Sequence, residues 1–488
     1  MRVVIRSVAL ALSLALLACA ADPPGNAAGA TTTTADASAK RRAVATPGPL
    51  LDDVEHRTFQ FFWDTTNTQN GLVPDRYPTK SFCSIAAVGF GLTAYGIGAE
   101  RGWVTREAAA ERTLLTLRFF LNAPAGPQPR GVTGNRGFYY HFLDMETGER
   151  FENVELSTID TTLLLAGALF SESYFSRDNE TERAIRDAAE ELYRRAEWTF
   201  FLERPPLVSM GWTPENGLHD YDYRGYNEAM ILYILALGSP THPIDPAAWT
   251  AYTSTYRWGT FYGQEQLNFG PLFGHHYSHV WIDFRGIQDP FMRAKGIDYA
   301  ENTRRSTYSQ RAYAIANPGQ FRGYGENMWG LTACDGPMDG SATLDGRERS
   351  FMGYSARAAA LEEIRDDGTI APTAAVSSMP FAPEIVLPAM EEMHRRFGAS
   401  LYRQYGFADS FNETLNVSTR IPQGTIVPGL GWFDADYLGI DQGPIVAMLE
   451  NYRTGLVWET MKKNPHIVRG LKRAGFTGGW LSTQAAPR

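Results

Sequence analysis

From residue 51 onward, apolar positions recur at helical rather than strand spacing. Residues 51–65 form an amphipathic segment with Val54, Phe59, Phe62 and Trp63 toward one side. Residues 84–98 are apolar and small, which suits a helix buried on most of its surface. Thr105 is a candidate N-cap, with Glu107 in the first turn of a helix reaching about residue 121. The pattern predicts further helices over 157–170, 180–203, 227–237, 246–258, 301–317, 383–397 and 442–461. Gly238-Ser239-Pro240 is the stop signal of the 227–237 segment. Strand signals are few and short, near 137–142 and 368–370.

Between the helices lie loops rich in Gly, Trp, Tyr and Asp, over 211–225, 270–289, 319–340 and 424–441. Long loops in a compact domain are usually functional. Plain helices alternating with polar-aromatic loops predict an all-α fold, an (α/α)6 barrel or toroid with its functional loops at one mouth. The aromatic share of 12% fits carbohydrate contact, because sugar rings stack their C–H faces on Trp and Tyr. Phe59, Phe61 and Phe62 are expected in the core. Trp212, Tyr221, Tyr223, Trp281, Tyr324 and Trp329 are expected to meet sugar.

The start of the chain carries a different pattern. Arg2 and Arg6 precede an apolar run over 8–18, too short for a membrane-spanning helix and suited to a signal peptide. The run ends in Leu16-Leu17-Ala18-Cys19, which resembles a bacterial lipobox with Cys19 as the lipidated residue. Ala20 after the cysteine favours the outer membrane, facing the periplasm or the cell surface. Residues 20–49, rich in Ala, Thr, Pro and Gly, bury too little apolar surface to offset their ordering entropy and are expected to form a flexible tether. Residues 50–488 are expected to be one catalytic domain, membrane-associated only through the N-terminal lipid.

A net charge of −9 argues against a nucleic-acid partner, which needs a basic face. After Cys19 only Cys83 and Cys334 remain, in contexts that suit buried thiols better than a disulfide. No CxxC or His-rich metal pattern is present, so no metal and no cofactor is expected. His275, His276 and His279 suggest a polar patch or substrate contact rather than a zinc site. The domain is expected to be a monomer.

Several stretches together carry a family resemblance: Ser84-Ile85-Ala86-Ala87-Val88-Gly89-Phe90, Ser157-Thr158-Ile159-Asp160-Thr161 and Gly225-Tyr226-Asn227-Glu228-Ala229-Met230. So do Tyr324-Gly325-Glu326-Asn327-Met328-Trp329-Gly330-Leu331-Thr332, Ile370-Ala371-Pro372-Thr373-Ala374-Ala375 and Gly439-Ile440-Asp441-Gln442-Gly443-Pro444. The chain resembles the bacterial glycoamylase-like domain family, over about residues 50–480. That family includes endo-β-1,2-glucanases and exo-acting sophorose-releasing enzymes. The resemblance implies an (α/α)6 barrel and a glucan substrate, most simply β-1,2-linked.

Glycoside hydrolysis needs one carboxylic acid to protonate the leaving oxygen and one carboxylate to activate water or attack carbon. Glu228, between a tyrosine loop and an apolar helix, suits the acid, since burial raises a carboxyl pKa. Its alternative role is a capping glutamate, and the resemblance points to the acid. For the second carboxylate, Asp441, Asp434 and Asp160 each lie near a helix start, where an Asp is commonly only an N-cap. The β-1,2-glucanase resemblance implies inversion, so Asp441 is expected to act as base through water and Asp160 to position substrate or water. Leu163, Leu164 and Gly167 stand one and two turns beyond Asp160, so no acidic face continues along that helix. Tyr226 is expected near substrate. Asp283 with Arg285 are expected to hold sugar hydroxyls or to form a salt bridge; Asp335 suits either a sugar contact or a turn. Arg304, Arg305 and Arg311 are expected on a solvated face or in ion pairs, with Glu384 as a helix-start residue. Competing functions are a polysaccharide lyase, an inverting glucan phosphorylase and a non-catalytic glycan-binding lipoprotein.

Overall fold

The computed structural model describes residues 48–344, 346–417 and 419–484. The leader, Cys19 and nearly all of the tether lie outside the described residues. The described residues form fifteen α-helices: α1 (Pro49–Thr65), α2 (Ile85–Glu100), α3 (Arg106–Asn122), α4 (Thr158–Tyr174), α5 (Glu180–Arg195), α6 (Met230–Gly238), α7 (Ala247–Thr253) and α8 (Phe273–Trp281). They continue as α9 (Pro290–Lys295), α10 (Tyr299–Ala316), α11 (Pro372–Val376), α12 (Pro383–Phe397), α13 (Gly439–Arg453), α14 (Leu456–Met461) and α15 (Pro465–Arg473).

The helices sort by how they are buried. Helices α2, α4, α6, α8, α11 and α13 are buried on nearly every side, as their all-round apolar or small sequences dictate. Helices α1, α3, α5 and α12 bury one face only. The buried helices pack in succession, α2 on α4, α4 on α6, α6 on α8, α8 on α13, and α13 back on α2, with α11 against α13. The one-sided helices cover them from outside: α1 lies on α2 and α13, α3 on α2 and α5, α5 on α4, and α12 on α11. Backbones of α2 and α4 nearly touch, because a Cβ on Gly89 would lie 2.1 Å from the Leu163 carbonyl oxygen and one on Gly167 2.1 Å from that of Gly89.

The helix pattern carries over with shifted ends. Thr105 caps α3, its Oγ1 accepting from the Ala108 N–H at 3.1 Å. The segment predicted over 442–461 starts at Gly439 and breaks at Gly455, whose φ of +74° needs a glycine, giving α13 and α14. Helix α6 begins three residues after the predicted start, and α8 occupies the middle of what reads in sequence as a 270–289 loop. The all-α expectation is too simple. Short strands of two to five residues form small two- and three-stranded antiparallel sheets between the helices. Residues 137–142 contribute two of them, Phe138–Tyr139 and the start of Phe142–Leu143, whereas 368–370 make only a single bridge, Ile370 to Phe411.

These hairpins set the site. Cys83–Ser84 pairs with Phe142–Leu143 and runs into α2. Leu156–Ser157 pairs with Gly211–Thr213 and runs into α4, and Tyr437–Leu438 pairs with Arg76–Tyr77 and runs into α13. Helices α2, α4 and α13 thus start from pinned strands, and Asp160 and Asp441 occupy the same place, the third residue of α4 and of α13.

Candidate active site

Glu228 stands two residues before α6, held by its backbone. Its carbonyl accepts from Ser278 Oγ at 2.9 Å, and the same Oγ accepts from the Ile231 N–H at 3.0 Å, which ties this turn to α8. Asn227 Oδ1 accepts from the Ala229 N–H, and the Tyr252 hydroxyl donates to it at 3.1 Å. Glu228 is 6% exposed and makes no ion pair among the described residues. Arg224, the nearest cation in sequence, faces Asp222 at 3.7 Å, and Asp222 is also held by Arg204 at 2.7 Å. Burial, helped by the Asp160 charge and opposed only by its own backbone N–H, pushes the Glu228 pKa up to about 7. A carboxyl that keeps its proton near neutrality is what leaving-group protonation requires.

Asp160 is buried and carries more partners. Ser157 caps α4, its Oγ accepting from the Asp160 N–H at 3.1 Å and donating to Asp160 Oδ2 at 2.5 Å. His141 bridges two acids, with Nε2 3.5 Å from Asp160 Oδ2 and Nδ1 2.9 Å from Glu155 Oε1. Burial disfavours the charged His141 ring, but Asp160 and Glu155 outweigh it and raise the pKa to about 9. At neutral pH the His141 ring is therefore an imidazolium, set between Asp160 and Glu155. The Asp160 pKa is raised by burial, against the pull of His141 and Ser157.

Asp441 acts on Tyr277 too: the buried Tyr277 hydroxyl is raised by burial and then by the charges of Asp441, Tyr354, Glu228 and Asp160. All three carboxylates found by sequence therefore converge within electrostatic reach of one tyrosine. The Asp441 backbone carbonyl accepts from Thr373 Oγ1 at 2.9 Å, docking α13 on α11, and its Oδ2 is buried without an N–H or hydroxyl donor. Beside it lie Asp75, Asp335, Asp409, Asp434 and Asp436, all nearly fully buried. Arg76 bonds Asp335 at 2.6 Å and Asp75 at 3.2 Å, and lies 3.9 Å from Asp436. Burial, then the charges of neighbouring aspartates, holds Asp409 and Asp434 well above the carboxylate range.

The sugar-contact expectations divide. Trp281 and Trp329 are corrected to core residues. Trp281 is fully buried, stacked on Phe90 at 5.0 Å with Nε1 donating to Thr93 Oγ1, and Trp329 is 1% exposed among Met328, Ala374 and Ala375. Asp283 and Arg285 form the salt bridge, not a sugar clamp: Arg285 bonds both Asp283 oxygens, Lys462 joins at 2.8 Å, and Arg285 lies over Trp458. The group follows the C-terminal end of α8, while Glu228 is bonded near its middle. Tyr324 donates to Asp366 at 2.7 Å, and Asp335 is paired with Arg76 in the acidic cluster. Tyr226 is buried beside Glu228 against Tyr299 and His275; Tyr223 is also buried. Trp212 is half-buried against Phe200, and Tyr221 is exposed. The histidine patch is corrected to the core of α8: His275, His276 and His279 bond separately to Phe269 O, Ser378 Oγ and Thr303 Oγ1, and burial keeps them neutral, His275 down to about 4. Cys83 and Cys334 are free and buried, and Phe59, Phe61 and Phe62 are core. Arg304, Arg305 and Arg311 pair with Glu384, Glu301 and Glu326.

Sequence inspection missed His141, Glu155, Arg76, Asp75, Asp409 and Asp436. One signal was available for Asp409, which with Ser410 stands between the aromatic residues Phe407 and Phe411.

Comparison with known proteins gives the chain its family. The glycoamylase family model, described as "Putative glucoamylase", matches residues 220–465, which include Glu228 and Asp441. A Bacteroides uniformis protein of the same description has 35% identity and a TM-score of 0.75, over 89% of this chain and 98% of that one. The endo-β-1,2-glucanase of Chitinophaga pinensis, solved with sophorotriose and glucose, has 30% identity and a TM-score of 0.74, over 88% and 98% of the two chains. An exo β-1,2-glucooligosaccharide sophorohydrolase (non-reducing end) of Parabacteroides distasonis is 29% identical over 458 residues, 87% of this chain. The match spans 57% of that relative's own length. The chain belongs to the glycoamylase family.

Proposed function

We propose that this protein is an inverting glycoside hydrolase acting on β-1,2-linked glucan, its catalytic groups gathered at one mouth of an (α/α)6 toroid. The observation that carries the proposal is Glu228, a buried carboxyl with no cation beside it and a pKa near 7. It protonates the glycosidic oxygen as the bond to the anomeric carbon breaks. Asp441 takes a proton from the attacking water on the opposite face of the sugar. Its buried Oδ2 has no N–H or hydroxyl donor, and burial raises its pKa to about 7 against the pull of a hydrogen bond with the Asp409 carboxyl, so it can take up that proton near neutrality. Asp160 cannot act so freely, because Ser157 and His141 both occupy its Oδ2. It positions substrate or water beside the His141 ring. The relatives that act on β-1,2-glucans support the linkage, and the succession of buried helices, each backed by a one-sided helix, supports the toroid. The Cys19 motif adds a lipid anchor in the outer membrane.

The test is turnover by residues 50–488 on linear and cyclic β-1,2-glucans and on β-1,3-, β-1,4- and α-1,4-glucans, with products sized by chromatography. Sophorose-series products from β-1,2-glucan, formed without phosphate, are expected. Maltose-series products from an α-1,4-glucan overturn the linkage, phosphate-dependent release indicates a phosphorylase, and binding without turnover indicates a glycan-binding protein.

A further inference from the structure

The aspartates beside Asp441 exceed what one catalytic base needs. Asp335, Asp409 and Asp434 each present a carboxylate oxygen within 4.8 Å of the others, and all three residues are at most 2% exposed. Backbone bonds lace their loops together. The Asp335 N–H donates to Asp409 Oδ2 at 2.7 Å, Ser410 Oγ to the Asp335 carbonyl at 2.7 Å, and the Asp434 N–H to the Ser410 carbonyl at 3.0 Å. Asp434 Oδ1 accepts from the Ala435 N–H at 2.7 Å.

A second, independent observation is the hydrogen bonding that is left over. Asp434 Oδ2 is buried with no hydrogen-bond partner, and Asp409 Oδ1 and Asp441 Oδ2 have no N–H or hydroxyl donor; the Asp409 and Asp441 carboxyls lie within hydrogen-bond reach of each other. Buried polar atoms are nearly always satisfied, and burying an unpaired charge is expensive. Charge balance points the same way. Among the described residues Arg76 alone pairs with this group, through Asp75, Asp335 and Asp436, and Asp409 and Asp434 make no ion pair. Arg403 reaches the Asp434 backbone carbonyl instead of its carboxylate. The other acidic constellation, Glu172, Glu190 and His466, lacks this character, since His466 bonds Glu190 at 2.7 Å and Asn464 donates to Glu172.

We propose that Asp335, Asp409 and Asp434 bind a hard divalent cation, calcium, in a structural site that braces the loops next to Asp441. An all-oxygen set selects calcium or magnesium over zinc. Oxygens no more than 4.8 Å apart can share one ion at Ca–O distances of roughly 2.3–2.6 Å, and calcium is preferred because magnesium keeps its waters, which a buried pocket does not favour. The alternative occupant of the unsatisfied oxygens is protons, and burial does hold Asp409 and Asp434 toward the protonated form.

Direct binding decides between them. Protein stripped with chelator is dialysed against 45Ca at neutral pH, and its melting temperature is followed with added calcium or magnesium. Wild type is expected to take up one calcium per chain and to melt higher with calcium than with magnesium. Asp434→Asn is expected to lose about tenfold or more in calcium affinity, whereas Glu190→Gln at the other acidic constellation binds as wild type. Stripped Asp434→Asn is expected to melt at or above stripped wild type, because one of the crowded charges is gone. No calcium uptake by wild type at millimolar concentration overturns the proposal and leaves protons on the aspartates. Unchanged binding in Asp434→Asn also overturns it, by placing the ion elsewhere. If that variant does not fold, Asp409→Asn replaces it, and the wild-type measurement stands alone. None of these readouts depends on glucan hydrolysis.

Discussion

Replacing Glu228 by Gln separates its catalytic work from its effect on stability. The side chain has no ion pair, so the substitution breaks no salt bridge, but it removes the transferable proton. General-acid help is typically worth about 10²–10⁴-fold, and kcat on β-1,2-glucan is expected to fall by that much. Stability is expected to move the other way. The carboxyl's ordinary pKa of 4.5 rises to about 7 in the folded protein, a gap of roughly 2.5 pH units, or about 3 kcal/mol at 1.36 kcal/mol per unit. Below pH 4.5 the group is protonated both folded and unfolded and has no effect. As pH rises toward and past 7, ionisation favours the unfolded chain, so wild type loses up to that amount by pH 8. Gln cannot ionise. Melting of Glu228→Gln, followed by calorimetry, is therefore expected to exceed wild type at pH 8 by about 3 °C, taking roughly 2 cal/mol/K of unfolding entropy per residue for a chain of this length. At pH 4.5 the two should coincide. Wild-type kcat should also fall above about pH 7 as the acid loses its proton. A Gln variant with near-normal turnover, or one that melts lower than wild type at pH 8, refutes the assignment of Glu228 as a desolvated acid.

Other perturbations probe separate parts of the account. His141→Asn removes the cation between Glu155 and Asp160; with a pKa raised from 6.5 to about 9, His141 stabilises the fold fully below pH 6.5, and that contribution fades as pH rises through 9. Its ring is 30% exposed, so a discounted loss of about 1–2 kcal/mol is expected at pH 6 and little at pH 10, read by denaturant titration. Gly89→Ala drives a Cβ to 2.1 Å from the Leu163 carbonyl oxygen and should cost about 1–3 kcal/mol or prevent folding. Gly340→Ala, whose Cβ would meet only Met338 Sδ at 4.0 Å, should melt as wild type. Cys19→Ala should release the protein from membranes while leaving the rate on glucan unchanged, as fractionation and assay would show.

Much of this architecture was legible because its period is strong. Long apolar runs such as 84–98 and one-sided runs such as 180–203 read as helices, although the latter ends at Arg195. Helix α8 was not legible, because Gly274, His275 and His276 interrupt its apolar pattern and every side of it is buried, which leaves no stripe. The two-residue strands are too short to show alternation. Glu228, Asp160 and Asp441 stood out as acids at the entry to apolar segments, a local signal. His141, Glu155, Asp409 and Arg76 matter only through partners brought together by the fold: Arg76 and Asp335 lie 259 positions apart. The misplaced tryptophans share a cause. A Gly- and Asp-rich neighbourhood marks a turn but does not say whether the ring beside it points outward, and α8 carries Trp281 inward onto Phe90.

The central claim is that Glu228 and Asp441 work on opposite faces of the scissile sugar, with water attacking directly. Proton NMR of β-1,2-glucan cleavage, recorded before mutarotation, reads this at the anomeric signals. The account predicts that the newly formed reducing end appears first as the α-anomer. Initial release of the β-anomer would require a covalent intermediate and a nucleophile in place of a base, and would contradict it.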